Sequence, residues 1–174
     1  MTKAAAKTST GTVFIVAIEQ SFPKDLRIVE DDLALKIMPL SYRTFTRVLR
    51  IGFIRDWMIN FYEKQWPGVW GGILCRKRYI NDKLSDESNQ IEGVVNLGAG
   101  LDTRLYTLDS ISKLPIWELD QDIVIKQKRL TQIFGVIPDN VKNVGIDFDH
   151  EDISEVLKEI VIQVIRRFFL YWKV

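Results

Sequence analysis

Cysteine and histidine are almost missing from this chain: Cys75 and His150 are the only ones among 174 residues. A lone cysteine excludes an internal disulfide framework and fits a reducing cytoplasm, the compartment the sequence predicts. Beside Arg76 the thiol could be reactive, but a small buried side chain is the expectation. His150 has no cysteine or histidine neighbour, and the run Asp147-Phe-Asp-His-Glu-Asp152 lacks the glycine and ligand spacing of a calcium loop, so no metal is expected. Long apolar runs are missing too. Val13-Phe-Ile-Val-Ala-Ile18, behind Lys3 and Lys7, is too short for a signal peptide and has no small-residue cleavage site, so it reads as part of an amphipathic helix. Nothing approaches the roughly 20 apolar residues that cross a bilayer, and no membrane partner is expected. Charge of one sign is also scarce: the net charge is +1, with no basic stripe interleaved with aromatics, which argues against nucleic acid as a partner.

What is present suffices for one hydrophobic core, since 47% of the residues are hydrophobic and 27% charged. Residues 1–9 are small and polar and read as a disordered leader, and 10–90 read as a helical region. Helices are expected from about Thr10 to Gln20, within Asp31–Met38 until Pro39 stops the chain, and over most of Tyr42–Tyr62. Trp66-Pro-Gly breaks the pattern. A helix from about Ile73 to Asp86 then carries Arg76, with Tyr79, Ile80 and Leu84 turned inward. Trp57, Phe61, Tyr62, Trp66 and Trp70 read as packing residues, with a pocket for an apolar acceptor as the alternative.

From 91 to 160 the pattern alternates: strand Gly93–Leu97, helix about Asp102–Leu108, strand Pro115–Leu119, helix about Ile123–Phe134, strand Val141–Ile146, helix about Ile153–Ile160. This order predicts an α/β fold with a parallel sheet. Gly98 and Gly100 follow the first strand. Without Cβ atoms they let the chain turn sharply and let backbone approach a ligand. Asp120 ends the next strand, where a carboxylate can accept hydrogen bonds from both hydroxyls of a ribose. Gly-x-Gly alone could be any strand-to-helix turn, and the acid moves the reading towards a nucleoside site. Thr103 occupies the place where a dinucleotide fingerprint has Gly or Ala, and the carboxylate of Asp102 would repel a diphosphate at a helix start. Both argue against an NAD-dependent dehydrogenase. A cationic ligand without phosphate, such as S-adenosyl-L-methionine, is compatible.

Gly-Ala-Gly-Leu-Asp-Thr-Arg (98–104), preceded by Cys75-Arg-Lys-Arg-Tyr-Ile-Asn-Asp-Lys-Leu84 and followed by Glu118-Leu-Asp-Gln121, closely resembles the leucine carboxyl methyltransferase family, from about Gly11 to about Glu159. The resemblance implies a Rossmann-like class I methyltransferase fold, of which this chain holds the first half of the parallel sheet behind an N-terminal helical region. It implies S-adenosyl-L-methionine as cofactor and methyl transfer to a carboxylate or hydroxyl of a small-molecule or carboxylate-bearing acceptor. Arg76 would pair with the carboxylate of the methionine moiety, a task suited to a planar fork of donors. Gly98 and Gly100 would lie against methionine and ribose, and Asp120 would bind the ribose. Asp147 and Phe148 would hold the adenine edge, the acid accepting from the amine and the Phe148 N–H donating to a ring nitrogen. Each has a plainer reading. Arg76, Lys77 and Arg78 could be a solvated helix face, Asp147 could cap a helix, and Glu118 could be a second polar group near the ribose or an outward-facing strand residue. No catalytic base is legible.

Residues 161–174 depart from the family pattern, which would continue with a Gly-Tyr loop, a fourth strand and a Glu-Gly-Val motif. Codons for Tyr171-Trp-Lys-Val, read two nucleotides later, force Leu-Glu and permit Gly-Val. The expectation is therefore an out-of-frame tail on a truncated member, with a catalytically inactive fragment as the alternative function. In the methyltransferase arrangement the fourth strand lies beside the first, so its loss would leave Gly93–Leu97 as an exposed edge prone to aggregation. Phe168-Phe-Leu-Tyr-Trp172 has the strand propensity to occupy that place.

Overall fold

The computed structural model describes residues 3–162 and 165–172. The chain divides into two compact units, a helical one of residues 3–83 and 101–107, and a sheet unit of 84–100 and 108–174. Residues 101–107 group with the helices although they lie between two strands in the sequence.

In the helical unit, α1 spans Lys3–Glu19. It starts well before Thr10, inside the expected disordered leader, because Ala4-Ala-Ala6 has the strongest intrinsic helix preference. Val13, Ile15, Val16, Ala17 and Ile18 are all buried, so this part of α1 is enclosed on every side rather than amphipathic. Gln20 ties off its end, donating to the carbonyls of Val16 and Val29 and accepting from the Asp31 N–H. The Asp31 carboxylate in turn accepts from the N–H groups of Leu33 and Ala34, starting the short α2, Ala34–Ile37. Met38 is extended (ψ 154°), as a residue before proline is obliged to be, and the helix stops there.

The stretch expected as one helix is two, α3 (Leu40–Val48) and α4 (Gly52–Gln65). Leu49 is driven into the core at the break and Ile51 is extended. α5 runs over Val69–Glu87, earlier than expected, because Glu63 on α4 reaches forward to accept the N–H groups of Gly68 and Trp70. Its buried stripe is Trp70, Leu74, Lys77, Asn81 and Leu84. Tyr79, expected inside, is 64% exposed, and Cys75 is exposed rather than buried.

The sheet unit is a four-stranded parallel sheet in the order β3-β2-β1-β4, with β1 Gly93–Leu97, β2 Ile116–Asp120, β3 Val141–Gly145 and β4 Phe168–Trp172. β1 is buried throughout, as its unbroken apolar run requires of a central parallel strand. Gly93 has a packing reason: a Cβ there would meet Pro115 O at 2.9 Å and Ile165 Cδ1 at 2.7 Å. α6, Ile123–Phe134, matches its predicted span and links β2 to β3. The predicted helix at 102–108 is absent, replaced by single 3-10 turns at Arg104–Tyr106 and Asp109–Ile111. After β3, α7 covers Ile153–Leu157 with Asp152 capping the Ser154 N–H, and the chain widens into a π turn over Lys158–Ile162.

β4 is made by the tail. It pairs with β1 from Gly93↔Phe168 to Leu97↔Trp172, so β1 is not an edge. Glu92 pins the start of the pairing: its N–H donates to the Arg167 carbonyl, and its carboxylate accepts the N–H groups of Arg166 and Arg167. Those two backbone bonds hold the Glu92 carboxyl below its ordinary pKa. One face of the sheet builds a core of Val95, Leu97, Trp117, Leu119, Ile146, Leu157, Val161 and Ile165. The opposite face carries a polar row, Asn96, Glu118 and Asn143, in register across three strands.

Candidate functional site

Four parallel strands bring their carboxyl ends to one edge of the sheet unit, where Gly98 follows β1, Asp120 ends β2, Asp147 lies just beyond β3 and Trp172 ends β4. Gly98 and Gly100 both adopt positive φ, 63° and 49°. Residues with a Cβ pay for that conformation in steric strain, which is why the turn is written in glycine. The turn is tied to the neighbouring strand by backbone and side chain: Ala99 N donates to Leu119 O at 3.1 Å, and Gly100 N to Asp120 Oδ2 at 2.8 Å. Asp120 Oδ1 accepts from Asp122 N at 2.9 Å. A single carboxylate therefore fixes both the glycine turn and the start of α6.

Asp147 lies two residues beyond β3. Its Oδ1 accepts from Gln121 Nε2 at 3.0 Å and from Asp149 N at 3.1 Å, and its Oδ2 faces His150 Nδ1 at 2.9 Å. The Asp147 N–H donates to Glu151 Oε2 at 2.6 Å. The next helix is capped by Asp152, which relieves Asp147 of that expected plain role. The hydrogen bond from His150, followed by that from the Asp149 backbone, lowers the Asp147 pKa, and the same contact raises that of His150. The aspartate's share of stability is present above 3.8 and is lost as pH falls through its lower folded value. The histidine's share is full below 6.5 and is lost as pH rises through its raised folded value. The pair is exposed, so the effect on melting is small, but the titration is easy to follow because His150 is the only histidine. An NMR titration is expected to give a His150 midpoint above 6.5, which Asp147→Asn returns towards that value.

Phe148 is half-buried against the core, and its ring stacks on Trp172, with centroids 5.8 Å apart and planes at 28°. Glu118, left open between ligand contact and surface, is neither exposed nor at the strand end: it is fully buried and paired with Lys126 Nζ of α6 at 2.5 Å. The pair lets α6 lie on a sheet face that carries a carboxylate.

Arg76 lies in the helical unit, on the exposed side of α5. Its neighbour Lys77 is buried, with Nζ 2.6 Å from Asp31 Oδ2 and 3.2 Å from Asp102 Oδ1. Thr103 Oγ1 donates to Asp31 Oδ2 at 2.6 Å, and Arg104 Nε to Asp102 Oδ2 at 2.7 Å. Two carboxylates and two cations thus meet in a buried network that holds the segment after Gly100. This corrects the electrostatic argument drawn from Asp102. The carboxylate is 2% exposed and neutralised by Lys77 and Arg104, so it projects little charge towards a ligand and does not by itself disfavour a diphosphate. Thr103 is likewise occupied structurally. Sequence reasoning missed Lys77 and Asp31. The only available signal was that Lys77 falls on the inward stripe between Leu74 and Leu84.

A parallel α/β sheet with a glycine turn after its first strand is a Rossmann-like architecture, consistent with a methyltransferase fold. The chain belongs to the leucine carboxyl methyltransferase family, whose model matches residues 9–172. The match runs past Glu159 and takes in β4. Two proteins provisionally named S-adenosyl-L-methionine-dependent methyltransferases, from Mycobacterium ulcerans (strain Agy99) and Mycobacterium marinum (strain ATCC BAA-535 / M), are each 36% identical over 90 residues. That stretch is 50% of this chain and 30% of either relative, so the similarity spans under a third of their length. Among the described residues no cluster of histidine, cysteine and acids is arranged to hold a metal, and no helix is long and apolar enough to cross a membrane.

Proposed function

We propose that this chain is the cofactor-binding portion of an S-adenosyl-L-methionine-dependent O-methyltransferase acting on a carboxylate or hydroxyl. The observation that carries the reading is the hold of Asp120 on Gly100: a positive-φ glycine turn clamped by the acid that ends the adjacent strand. A carboxylate has about four acceptor positions, and Asp120 spends two on backbone N–H groups, leaving two for ribose hydroxyls. The glycines leave room for backbone to approach the ligand, and Asp147 with the Phe148 N–H supplies an acceptor and a donor for an adenine edge. Gln121 and His150 hold Asp147 in place and would share its oxygens with the base. Arg76 would meet the methionine carboxylate.

S-adenosyl-L-methionine, when bound, supplies an electrophilic methyl group beside a sulfonium. What these residues contribute is orientation and the exclusion of water, with rate arising from positioning rather than from a named base. Isothermal calorimetry tests the reading. S-adenosyl-L-homocysteine is expected to bind and NAD to bind at least about tenfold more weakly. With the charge argument from Asp102 gone, preferential NAD binding is the result that would turn the reading towards a dehydrogenase.

A further inference from the structure

Trp172 is the last residue of β4 and sits in register with Leu97, the residue before Gly98. Because β4 is parallel to β1, the indole stands on the same edge as Asp120 and Asp147. It stacks on the ring of Phe148, whose own half-buried ring rests on the core, while 52% of Trp172 remains exposed. The largest side chain available is thus held at the ligand edge with a backing ring behind it and solvent over much of its surface. A flat, aromatic ligand would remove that surface from water and stack on it.

We propose that Trp172 is a binding residue for the adenine base of the cofactor, an assignment that rests on the methyltransferase reading. Asp147 and the Phe148 backbone meet the base at its edge, and the indole beside Phe148 meets its face. Edge contacts specify which base is bound, whereas stacking supplies affinity that any purine can use. The division predicts separable losses.

The test titrates S-adenosyl-L-homocysteine and adenosine into the chain, Trp172→Leu and Trp172→Phe, by calorimetry and by tryptophan fluorescence, with thermal melts as the folding control. Trp172→Leu is expected to weaken both ligands by the same factor, roughly tenfold to a hundredfold, and Trp172→Phe to regain most of it. The ligand-induced fluorescence change is expected to fall in both variants. Binding of Trp172→Leu within about twofold of the parent would overturn the assignment while leaving the methyltransferase reading intact. So would a Trp172→Phe variant as weak as Trp172→Leu. A parent chain that binds neither ligand overturns both readings, and that result needs no variant to be recognised.

Discussion

Lys77→Met is expected to destabilise the protein by about 3–5 kcal/mol, the cost of removing one partner from a buried ion pair. The reason lies in what stays behind. Asp31 and Asp102 are 1% and 2% exposed and share the Lys77 ammonium, so the variant puts a thioether between two buried carboxylates and leaves Asp31 with no cation beside it. Arg104 still serves Asp102, while Asp31 keeps only the Thr103 hydroxyl and the N–H groups of Leu33 and Ala34. Chemical denaturation measures the loss. If burial of unpaired charge is the cause, Asp31→Asn in the Lys77→Met background costs much less than Asp31→Asn alone, giving a coupling of about 1–3 kcal/mol. Additive losses would mean that Lys77 acts through packing alone.

The second large effect is expected at the ligand edge. Asp120→Asn replaces one acceptor oxygen with an N–H₂ that must face either the Gly100 N–H or the Asp122 N–H, donor against donor. It also removes the charge proposed to receive the ribose hydroxyls, and hydrogen bonds to charged groups are worth about 1.5–3 kcal/mol each. Affinity for S-adenosyl-L-homocysteine should fall roughly 100-fold or more by calorimetry, with a modest drop in melting temperature. Affinity within about threefold of the parent would remove Asp120 from the site.

Much of the sheet was legible from the residues because its determinants are local. Gly93–Leu97 and Ile123–Phe134 fall where the apolar run and the helical period put them, each bounded by its own stop signal. The segment after Gly100 was not legible. Its composition allows a helix, but Asp102, Thr103 and Arg104 spend their hydrogen bonds on one another, on Asp31 and on Lys77. Partners so distant in sequence leave no period to read. For the same reason the sequence shows Lys77 only as one of three adjacent cations, and it leaves Glu118 undecided because its partner Lys126 is supplied by the following helix. In the tail, strand propensity was visible in Phe168–Trp172, but its stacking partner Phe148 is supplied by another loop.

The chain passes from helices to sheet after residue 83, returns for residues 101–107, and leaves again, so neither unit is a continuous stretch of sequence. Asp102 and Arg104, counter-ions of the helical interior, are encoded between two strands of the sheet. A recombination crossover between α5 and β1 would separate Lys77 from one of its two carboxylates and give the incoming sheet a charged loop with no matching interior. Residues 101–107 therefore belong with the helices, and a chimera joining helices and sheet from divergent homologues should succeed only when residues 101–107 come from the parent that donates the helices.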